Sequence, residues 1–279
     1  MSTESSQLQK PTAPVHTAPS IVSACRTALF YLVLVIITIA WAVPALIIGP
    51  CLPLRRRNFF IARTYSHMVI YACRWICGIR WNIKGLEHLP NPDQQQGLVL
   101  LSKHQSTWET LFLPTILSPH VQVVKKELSY LPIFGWVYNL IHPIFIDRSQ
   151  KTNALKQVIT QGSDRLNKGL HVLVFPEGTR VPPGKRKTFS KGGAMLASKT
   201  AAPTLFIAHN SGEFWPNDHW VKKAGVISVV ISPVLNTEGV STKAINDQSE
   251  RWINAEVERV SDVKFSGDMV EAQTSGKRF

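Results

Sequence analysis

Residues 97–109 read GLVLLSKHQSTWE and residues 171–180 read HVLVFPEGTR, so each stretch is an apolar run followed directly by polar side chains. Short apolar runs of this kind are typical of buried strands. Open α/β sheets bind ligands beyond the carboxyl ends of their strands. The two stretches therefore predict a functional site formed by 104–109 and 175–180 at one edge of such a sheet.

The alternation of apolar runs and helical patterns continues through residues 81–262. It predicts an α/β fold, with a mostly parallel sheet covered by helices on both sides. Strands are predicted at 97–101, 121–124, 143–146, 171–175, 203–208 and 226–231. Helices are predicted at 107–118, 151–168, 190–200 and 244–260.

The charge balance of the chain limits the class of its partners. Its 279 residues include 31 Lys and Arg against 18 Asp and Glu, which gives a formal net charge of +13. Such an excess indicates nucleic acid, a membrane surface or anionic substrates. Nucleic acid is disfavoured, because the chain also carries a long uncharged segment.

That segment is residues 27–54, in which no residue is charged. About 20 apolar residues suffice to cross a bilayer as a helix, so the segment predicts a membrane span. A buried core helix and a cleaved signal peptide are the weaker alternatives. Pro44 and Pro50 leave open a single span or a hairpin. Arg55, Arg56 and Arg57 follow it, so the positive-inside rule predicts that the large C-terminal domain faces the cytoplasm.

The remaining boundaries follow from composition. Residues 1–20 are rich in Ser, Thr, Pro and Gln and are expected to be disordered. Residues 21–80 form the membrane-anchoring helical module, in which 59–79 is interpreted as an interfacial helix, with a second buried or spanning helix as the alternative. Residues 81–262 form the main domain, and 263–279 form a loose tail.

His104 and Glu109 are the first candidates for chemistry. A histidine after a buried strand could act as a general base if Glu109 accepts the proton of its other ring nitrogen. The alternatives are a polar loop residue for His104 and a capping box for Glu109, in which Ser106 caps the helix. The two roles of Glu109 are compatible, because a carboxylate has two oxygens. His209, at the end of another predicted strand, is interpreted as structural.

Cations follow three further predicted strands. Lys125 and Arg148 each close an apolar run, and Arg180 ends the Pro-Glu-Gly-Thr turn. Each by itself is typical of a solvated surface charge. Together with His104 at one sheet edge they favour a shared anionic pocket, and the planar fork of Arg180 suits phosphate.

The order of these motifs resembles the glycerolipid acyltransferase family, specifically the bacterial membrane type of 1-acylglycerol-3-phosphate acyltransferase. The resemblance covers roughly residues 80–240 and includes Lys125 to Leu128, Pro132 to Trp136, Phe145 to Arg148, Phe175 to Arg180 and the proline-led strand at Pro203. One departure is Glu109, which stands where that family usually has Asp. Its extra methylene displaces the carboxylate.

The resemblance implies transfer of a fatty acyl group from acyl-CoA or acyl carrier protein to the free hydroxyl of lysophosphatidic acid. It assigns His104 and Glu109 to catalysis. Substrate phosphate binding is assigned to Lys125, Arg148, Glu177, Gly178, Thr179 and Arg180. Backbone amides near Ser106 are candidates for the oxyanion site, and no nucleophilic role is expected for the Ser106 hydroxyl.

No metal or redox cofactor is implied, and no nucleic acid partner is expected. Anionic membrane lipids are expected partners because of the basic charge. Two alternatives remain open: an acyltransferase for another lysolipid, such as a lyso-ornithine lipid or a lysophospholipid, and a non-catalytic protein that binds the membrane surface.

Overall fold

The computed structural model describes residues 20–91, 96–147 and 151–270. Residues 1–19 of the expected tail, the candidate phosphate ligand Arg148 and residues 271–279 lie outside this part of the chain. The helices are α1 Ile21–Ile48, α2 Leu54–Asn58, α3 Thr64–Cys77, α4 Trp108–Ile116, α5 Phe134–Leu140, α6 Lys151–Asn167, α7 Gly192–Thr200 and α8 Thr242–Val260. The strands are β1 Ile79–Lys84, β2 Val99–Ser102, β3 His120–Lys125, β4 Ile144–Ile146, β5 His171–Val174, β6 Thr204–His209 and β7 Gly225–Ile231.

The described strands form one seven-stranded sheet in the order β1-β7-β6-β2-β5-β3-β4. Every neighbouring pair is parallel except β6 with β7. The prediction of a mostly parallel α/β sheet is therefore confirmed. The strand order also places β2 between β6 and β5 in the middle of the sheet, which sets the position of the site.

Strand β2 shows why the sheet is covered on both sides. Successive side chains of a strand point to opposite faces. Leu100 lies in the hydrophobic core that α1, α3 and α4 cover, whereas Val99 and Leu101 lie in the core covered by α6, α7 and α8. All four residues of β2 are buried. A strand buried on both faces needs a continuous apolar run, which is what made β2 visible in the sequence.

Three elements were not predicted from the sequence, namely β1, α2 and α5. Helix α2 is five residues long, too short to show a helical period. Strand β1 reads IRWNIK and alternates between buried or partly buried and exposed residues. It lies at one edge of the sheet, so it needs no apolar run. Helix α5 is seven residues long, too short to show a helical period.

Helices α1 and α3 pack against each other in antiparallel fashion. Tyr65 Oη lies 2.9 Å from Thr38 Oγ1, and Trp41 Nε1 donates to the Ile61 carbonyl at 3.3 Å. Residues 59–63 continue into α3 as one π-helical turn. One face of α3 is buried, whereas Tyr71 and Trp75 of the same helix are exposed. The region 59–77 thus shares an interface with α1.

Helix α1 continues through Pro44 to Ile48 without reversing. Its 28 residues, at 1.5 Å per residue, span about 42 Å. Large apolar side chains along α1 are exposed, among them Leu32, Val35, Ile36 and Ile39. Within the described residues, one helix is long and apolar enough to cross a membrane.

Part of the expected loose tail makes backbone contacts with the main domain. The amide of Ser266 donates to the carbonyl of Gly184 at 2.9 Å, and the amide of Val270 donates to that of Arg186 at 2.8 Å. Residues 263–270 therefore lie along the loop that precedes α7.

Candidate active site

The site lies where four neighbouring strands end. Strands β6, β2, β5 and β3 are adjacent in the sheet and mutually parallel, so their carboxyl ends meet at one edge. His104 follows β2, Lys125 ends β3 and Arg180 follows β5. The topology thus brings together three of the side chains that the sequence predicted to share a site.

His104 and Glu109 contact each other directly. His104 Nδ1 donates to Glu109 Oε1 at 2.8 Å. His104 precedes α4 and turns back over its first turn, so its ring reaches a residue five positions later. Glu109 is buried, whereas 12% of the His104 side chain is exposed. Because Nδ1 carries the shared proton, Nε2 is the nitrogen left to accept another.

Glu109 also makes the contacts of the capping-box interpretation at the start of α4. Its oxygens accept from the amides of Gln105 and Ser106, both at 2.9 Å. Ser106 Oγ donates to Glu109 Oε2 at 3.0 Å and accepts from the amide of Trp108 at 2.8 Å. These contacts use the amides that were candidates for an oxyanion site, so that expectation was wrong for Gln105 and Ser106. They also occupy the Ser106 hydroxyl.

The same contacts determine the charge of Glu109. Burial by itself raises the pKa of a carboxyl group, but here the ring of His209 and the hydrogen bond from His104 outweigh it. The pKa of Glu109 is therefore held well below its ordinary value. Glu109 is a carboxylate at neutral pH, as a partner for an imidazolium must be.

Glu177 is a second buried carboxylate next to His104. It pairs with the ammonium group of Lys103, and both side chains are almost fully buried. Its other oxygen, Oε2, accepts from the amide of His104 at 2.8 Å. Glu177 contacts the backbone of His104, and it does not line the cavity described below. The structure thus places Glu177 as a support for His104, away from the expected phosphate site.

The turn after β5 has the geometry that its sequence predicts. Gly178 adopts a positive φ of 68°, and its amide donates to the Phe175 carbonyl at 3.0 Å. The Phe175 ring stacks on the His104 ring, with centroids 4.0 Å apart and an interplanar angle of 17°. The turn carries Thr179 and Arg180 to the cavity, where Arg180 Nη1 donates to Asn217 Oδ1 at 2.6 Å.

A cavity of about 590 Å³ opens beside these residues. His104, Thr179, Arg180 and Lys125 lie on its polar wall. The rest of its lining is largely apolar and comes mainly from α1, the turn at 59–63 with α3, α4, β3 and α5. The cavity therefore has a cationic end with a histidine and an apolar end walled partly by the long exposed helix.

A second histidine, His120, also lines the cavity. Its Nδ1 donates to the Leu117 carbonyl at 3.1 Å. Burial lowers the pKa of His120 to about 4, and no carboxylate among its described hydrogen-bond partners opposes this effect. His104 is therefore the better base, because it has a carboxylate partner.

His209 has the structural role that the sequence suggested. It is buried at the end of β6, its Nε2 donates to the Lys103 carbonyl at 2.9 Å, and its Nδ1 accepts from the Ser211 amide at 3.4 Å. Burial lowers the pKa of His209, although the carboxylate of Glu109 acts in the opposite direction. Among the described residues, no three His, Cys, Asp or Glu side chains gather in a way that could hold a metal ion.

Sequence reasoning missed Lys103, Phe175 as a ring partner, and Ser211, which donates to Glu109 Oε2 at 2.8 Å. A signal existed for Lys103, since a lysine inside a continuous buried segment needs an acidic partner. Ser211 is separated from Glu109 by 102 residues, and only the pairing of β6 with β2 brings them together.

Comparisons with known proteins identify the family of this chain. The model of the acyltransferase family matches residues 80–231. A 1-acyl-sn-glycerol-3-phosphate acyltransferase of Pseudomonas aeruginosa is 44% identical over 248 residues, which cover 88% of this chain and 95% of that protein. A protein of the same name from Limnanthes douglasii is 27% identical over 230 residues, or 81% of this chain and 79% of its own length.

A solved structure has the same fold. The crystal structure of the 1-acyl-sn-glycerophosphate acyltransferase of Thermotoga maritima matches with a TM-score of 0.72 at 20% identity. The match covers 86% of this chain and 96% of the other. On the family match and the identity to the Pseudomonas protein, this chain belongs to the acyltransferase family that includes the 1-acyl-sn-glycerol-3-phosphate acyltransferases.

Proposed function

We propose that this protein transfers a fatty acyl group from a thioester donor to the free sn-2 hydroxyl of 1-acyl-glycerol-3-phosphate, giving phosphatidic acid for phospholipid synthesis. The observation that carries the proposal is the cavity, which His104, Lys125 and Arg180 line together with many apolar side chains, while Glu109 contacts the His104 ring. The two named relatives described above support the choice of acceptor.

The cationic end of the cavity suits the phosphate of the acceptor. Arg180 Nε is buried and has no hydrogen-bond partner among the described residues, so this donor is free for an anion. Lys125 is exposed at the same wall, and the Thr179 hydroxyl adds a neutral donor. Charge-assisted hydrogen bonds from arginine to phosphate are among the stronger polar contacts. Arg148 remains a predicted further ligand.

The apolar end of the cavity suits an acyl chain. Three helical segments line this end with Leu34, Trp41, Ile61 and Val137, so an acyl chain that enters it is surrounded by hydrocarbon. Each buried methylene group contributes about 0.8 kcal/mol of transfer free energy. An acceptor bound through its phosphate at one end and its acyl chain at the other is oriented along the cavity, with its hydroxyl near His104.

His104 acts as general base in this proposal. Nε2 removes the proton of the sn-2 hydroxyl while the hydroxyl oxygen forms a bond to the thioester carbonyl carbon. Glu109 stabilises the imidazolium that results. The tetrahedral intermediate then collapses as the carbon–sulfur bond breaks, and the imidazolium returns its proton to the departing thiolate. The products are phosphatidic acid and a free thiol, with His104 neutral again.

Lys103 and Glu177 keep the backbone of His104 in place during these steps. The His104 amide is held by Glu177, and the charge of Glu177 is balanced by Lys103. Phe175 fixes the plane of the ring by stacking. A base held in one orientation contributes more to the rate, because the reactive geometry is already formed when the substrate binds.

Helix α1 spans the inner membrane in this proposal, and the catalytic domain faces the cytoplasm. The exposed apolar side chains of α1 support a lipid contact, and the arginines after it support the orientation. Anionic lipids are attracted by the net charge of +13. Because α1 also walls the cavity, a lipid acceptor reaches the site without leaving an apolar environment.

The test uses the purified full-length chain reconstituted in vesicles, with 1-oleoylglycerol-3-phosphate and either acyl-CoA or acyl carrier protein as donor. We expect phosphatidic acid, measured by mass spectrometry. Lysophosphatidylcholine and a lyso-ornithine lipid are supplied in parallel, and preferential acylation of either one contradicts the proposed acceptor. Binding of vesicles without any acyl transfer would instead identify a membrane-surface protein.

A further inference from the structure

Ser211 is a buried residue that the proposed reaction does not yet use. It is the first residue of a short turn, Ser211–Glu213, that follows β6, and its side chain is fully buried. Its hydroxyl donates to Glu109 Oε2 at 2.8 Å. We infer that Ser211 is a positioning residue that fixes the orientation of the Glu109 carboxylate toward His104. This inference rests on the proposed function.

The other donors to Glu109 all belong to its own loop. His104, Gln105 and Ser106 lie within five residues of Glu109 and precede the same helix. A shift of α4 relative to the sheet would carry these donors and the carboxylate along together. Among the described donors, Ser211 is the one that comes from a different strand. It therefore ties the carboxylate to the sheet.

Ser211 itself is held firmly. Its carbonyl accepts from the amides of Phe214 and Trp215 at 3.1 and 2.9 Å, and its amide donates to His209. The next amide, that of Gly212, donates to Gln105 Oε1 at 3.2 Å. The segment after β6 is thus joined to the His104 loop at one point besides the serine hydroxyl. A donor fixed in this way constrains Oε2, and through it the direction of Oε1.

The length of the acidic side chain matters for this contact. Glu109 is one methylene longer than the Asp that the resemblance leads one to expect, and its Oε2 reaches across to Ser211 while Oε1 reaches His104. Shortening the side chain to Asp withdraws the carboxylate and cannot keep both contacts at their present lengths. The Ser211 hydroxyl should therefore contribute to kcat when residue 109 is Glu and contribute little when it is Asp.

The test is a double-mutant cycle on the full-length chain, with Ser211→Ala, Glu109→Asp and the double variant. We expect Ser211→Ala to lower kcat by about tenfold, the size of one hydrogen bond to a charged group, with KM unchanged for both substrates. In the Glu109→Asp background the same substitution should change kcat by less than about twofold, because coupled positions are not additive.

The split between kcat and KM separates positioning from a merely structural role. A carboxylate that is no longer held toward His104 stabilises the imidazolium less after proton transfer, so kcat should fall while the KM of both substrates and the thermal midpoint stay near their wild-type values. Ser249→Ala is the matched control, since Ser249 is equally buried but donates to a carbonyl within α8; it should change neither kcat nor KM. Ser211→Cys, a weaker donor, should give an intermediate kcat if the Ala variant folds poorly.

Two results overturn the inference while leaving the proposed function standing. One is a kcat for Ser211→Ala within about twofold of the wild type, and the other is an equal loss in the Glu and Asp backgrounds. Failure of the proposed function looks different, because the wild type itself would then make no phosphatidic acid or would prefer another lysolipid. A loss of thermal stability in Ser211→Ala with kcat per folded molecule unchanged also counts against positioning.

Discussion

Glu109 and Glu177 are two buried carboxylates on either side of one histidine, and they contact different parts of it. Glu109 accepts from the ring, while Glu177 accepts from the backbone amide. The partners of Glu109 are hydroxyls, amides and an imidazole, whereas Glu177 faces the ammonium of Lys103. Their difference shows that burial of an acidic residue beside a base does not by itself identify the catalytic partner.

Glu109 and Glu177 differ in how the surroundings of their charges change during the proposed reaction. When His104 becomes an imidazolium, Glu109 gains a charged neighbour at 2.8 Å, and this gain occurs only after proton transfer. Glu177 is already neutralised by Lys103, so its energy changes little as the proton moves. Substitution of Glu109 should therefore lower the rate of acyl transfer, whereas substitution of Glu177 should lower the stability of the fold.

The largest expected effect comes from His104→Ala, which removes the contact of Glu109 and keeps that of Glu177. The alanine retains the amide that donates to Glu177, so the loop should stay folded. We expect turnover to fall by about 10²–10⁴-fold, the usual contribution of a general base. Initial rates and circular dichroism on the same preparation check this. Appreciable residual transfer would exclude His104 as the base.

The second expected effect is a loss of unfolding free energy, which distinguishes Glu177 from Glu109. Glu177→Gln leaves the Lys103 ammonium buried without its counter-ion, which typically costs about 3–5 kcal/mol of unfolding free energy. Denaturant unfolding in detergent measures the loss. Lys103→Met in the same chain removes the orphaned charge and should restore most of the stability. An unchanged midpoint for Glu177→Gln alone would mean that this ion pair does not support the fold.

The third effect is expected for the matching substitution Glu109→Gln, which should lower kcat. Gln keeps the size of the side chain and one acceptor oxygen but loses the charge that stabilises the imidazolium. We expect a loss of about 10–100-fold in kcat, in the range of hydrogen bonds to charged groups. The thermal midpoint should change less than in Glu177→Gln. Wild-type turnover in this variant would leave Glu109 with the capping role alone.

The sequence predicted the polar partners that lie close to each other along the chain. His104, Ser106 and Glu109 fall within six residues, so helix geometry and the capping box were enough to relate them. Strands β2 and β5 were predicted because they are buried on both faces and need continuous apolar runs. The edge strand β1 was missed because one of its faces is open to solvent.

The contacts of Glu177 and Ser211 could not be predicted in the same way. Glu177 pairs with Lys103 across 74 residues, and Ser211 reaches Glu109 across 102. Both contacts depend on which strands flank β2, and a single sequence does not give the strand order. The sequence therefore placed Glu177 among the phosphate ligands together with its neighbours in the turn, although its side chain points the other way.

The fourth prediction concerns the acceptor phosphate, which neither carboxylate touches in the proposed complex. Arg180→Ala should raise the KM for 1-acyl-glycerol-3-phosphate by about tenfold or more, as expected when charge-assisted hydrogen bonds are lost. The KM of the acyl donor should stay near its wild-type value. Lys185→Ala is the control, because Lys185 is exposed in the same loop but does not line the cavity. Equal effects of both substitutions would point to general electrostatics.

The smallest expected effect is the pH dependence that Glu109 gives to stability. Its folded-state pKa lies well below its ordinary value, so the unfolded chain takes up the proton at higher pH than the folded one. The stabilisation is therefore present above the unfolded pKa and is lost as the pH falls toward the folded pKa. Between about pH 5 and pH 3, the wild type should lose roughly 1 kcal/mol more unfolding free energy than Glu109→Gln. Denaturant titrations in detergent at several pH values measure this difference, and parallel curves for the two proteins would show that the contacts of Glu109 do not favour its charged form.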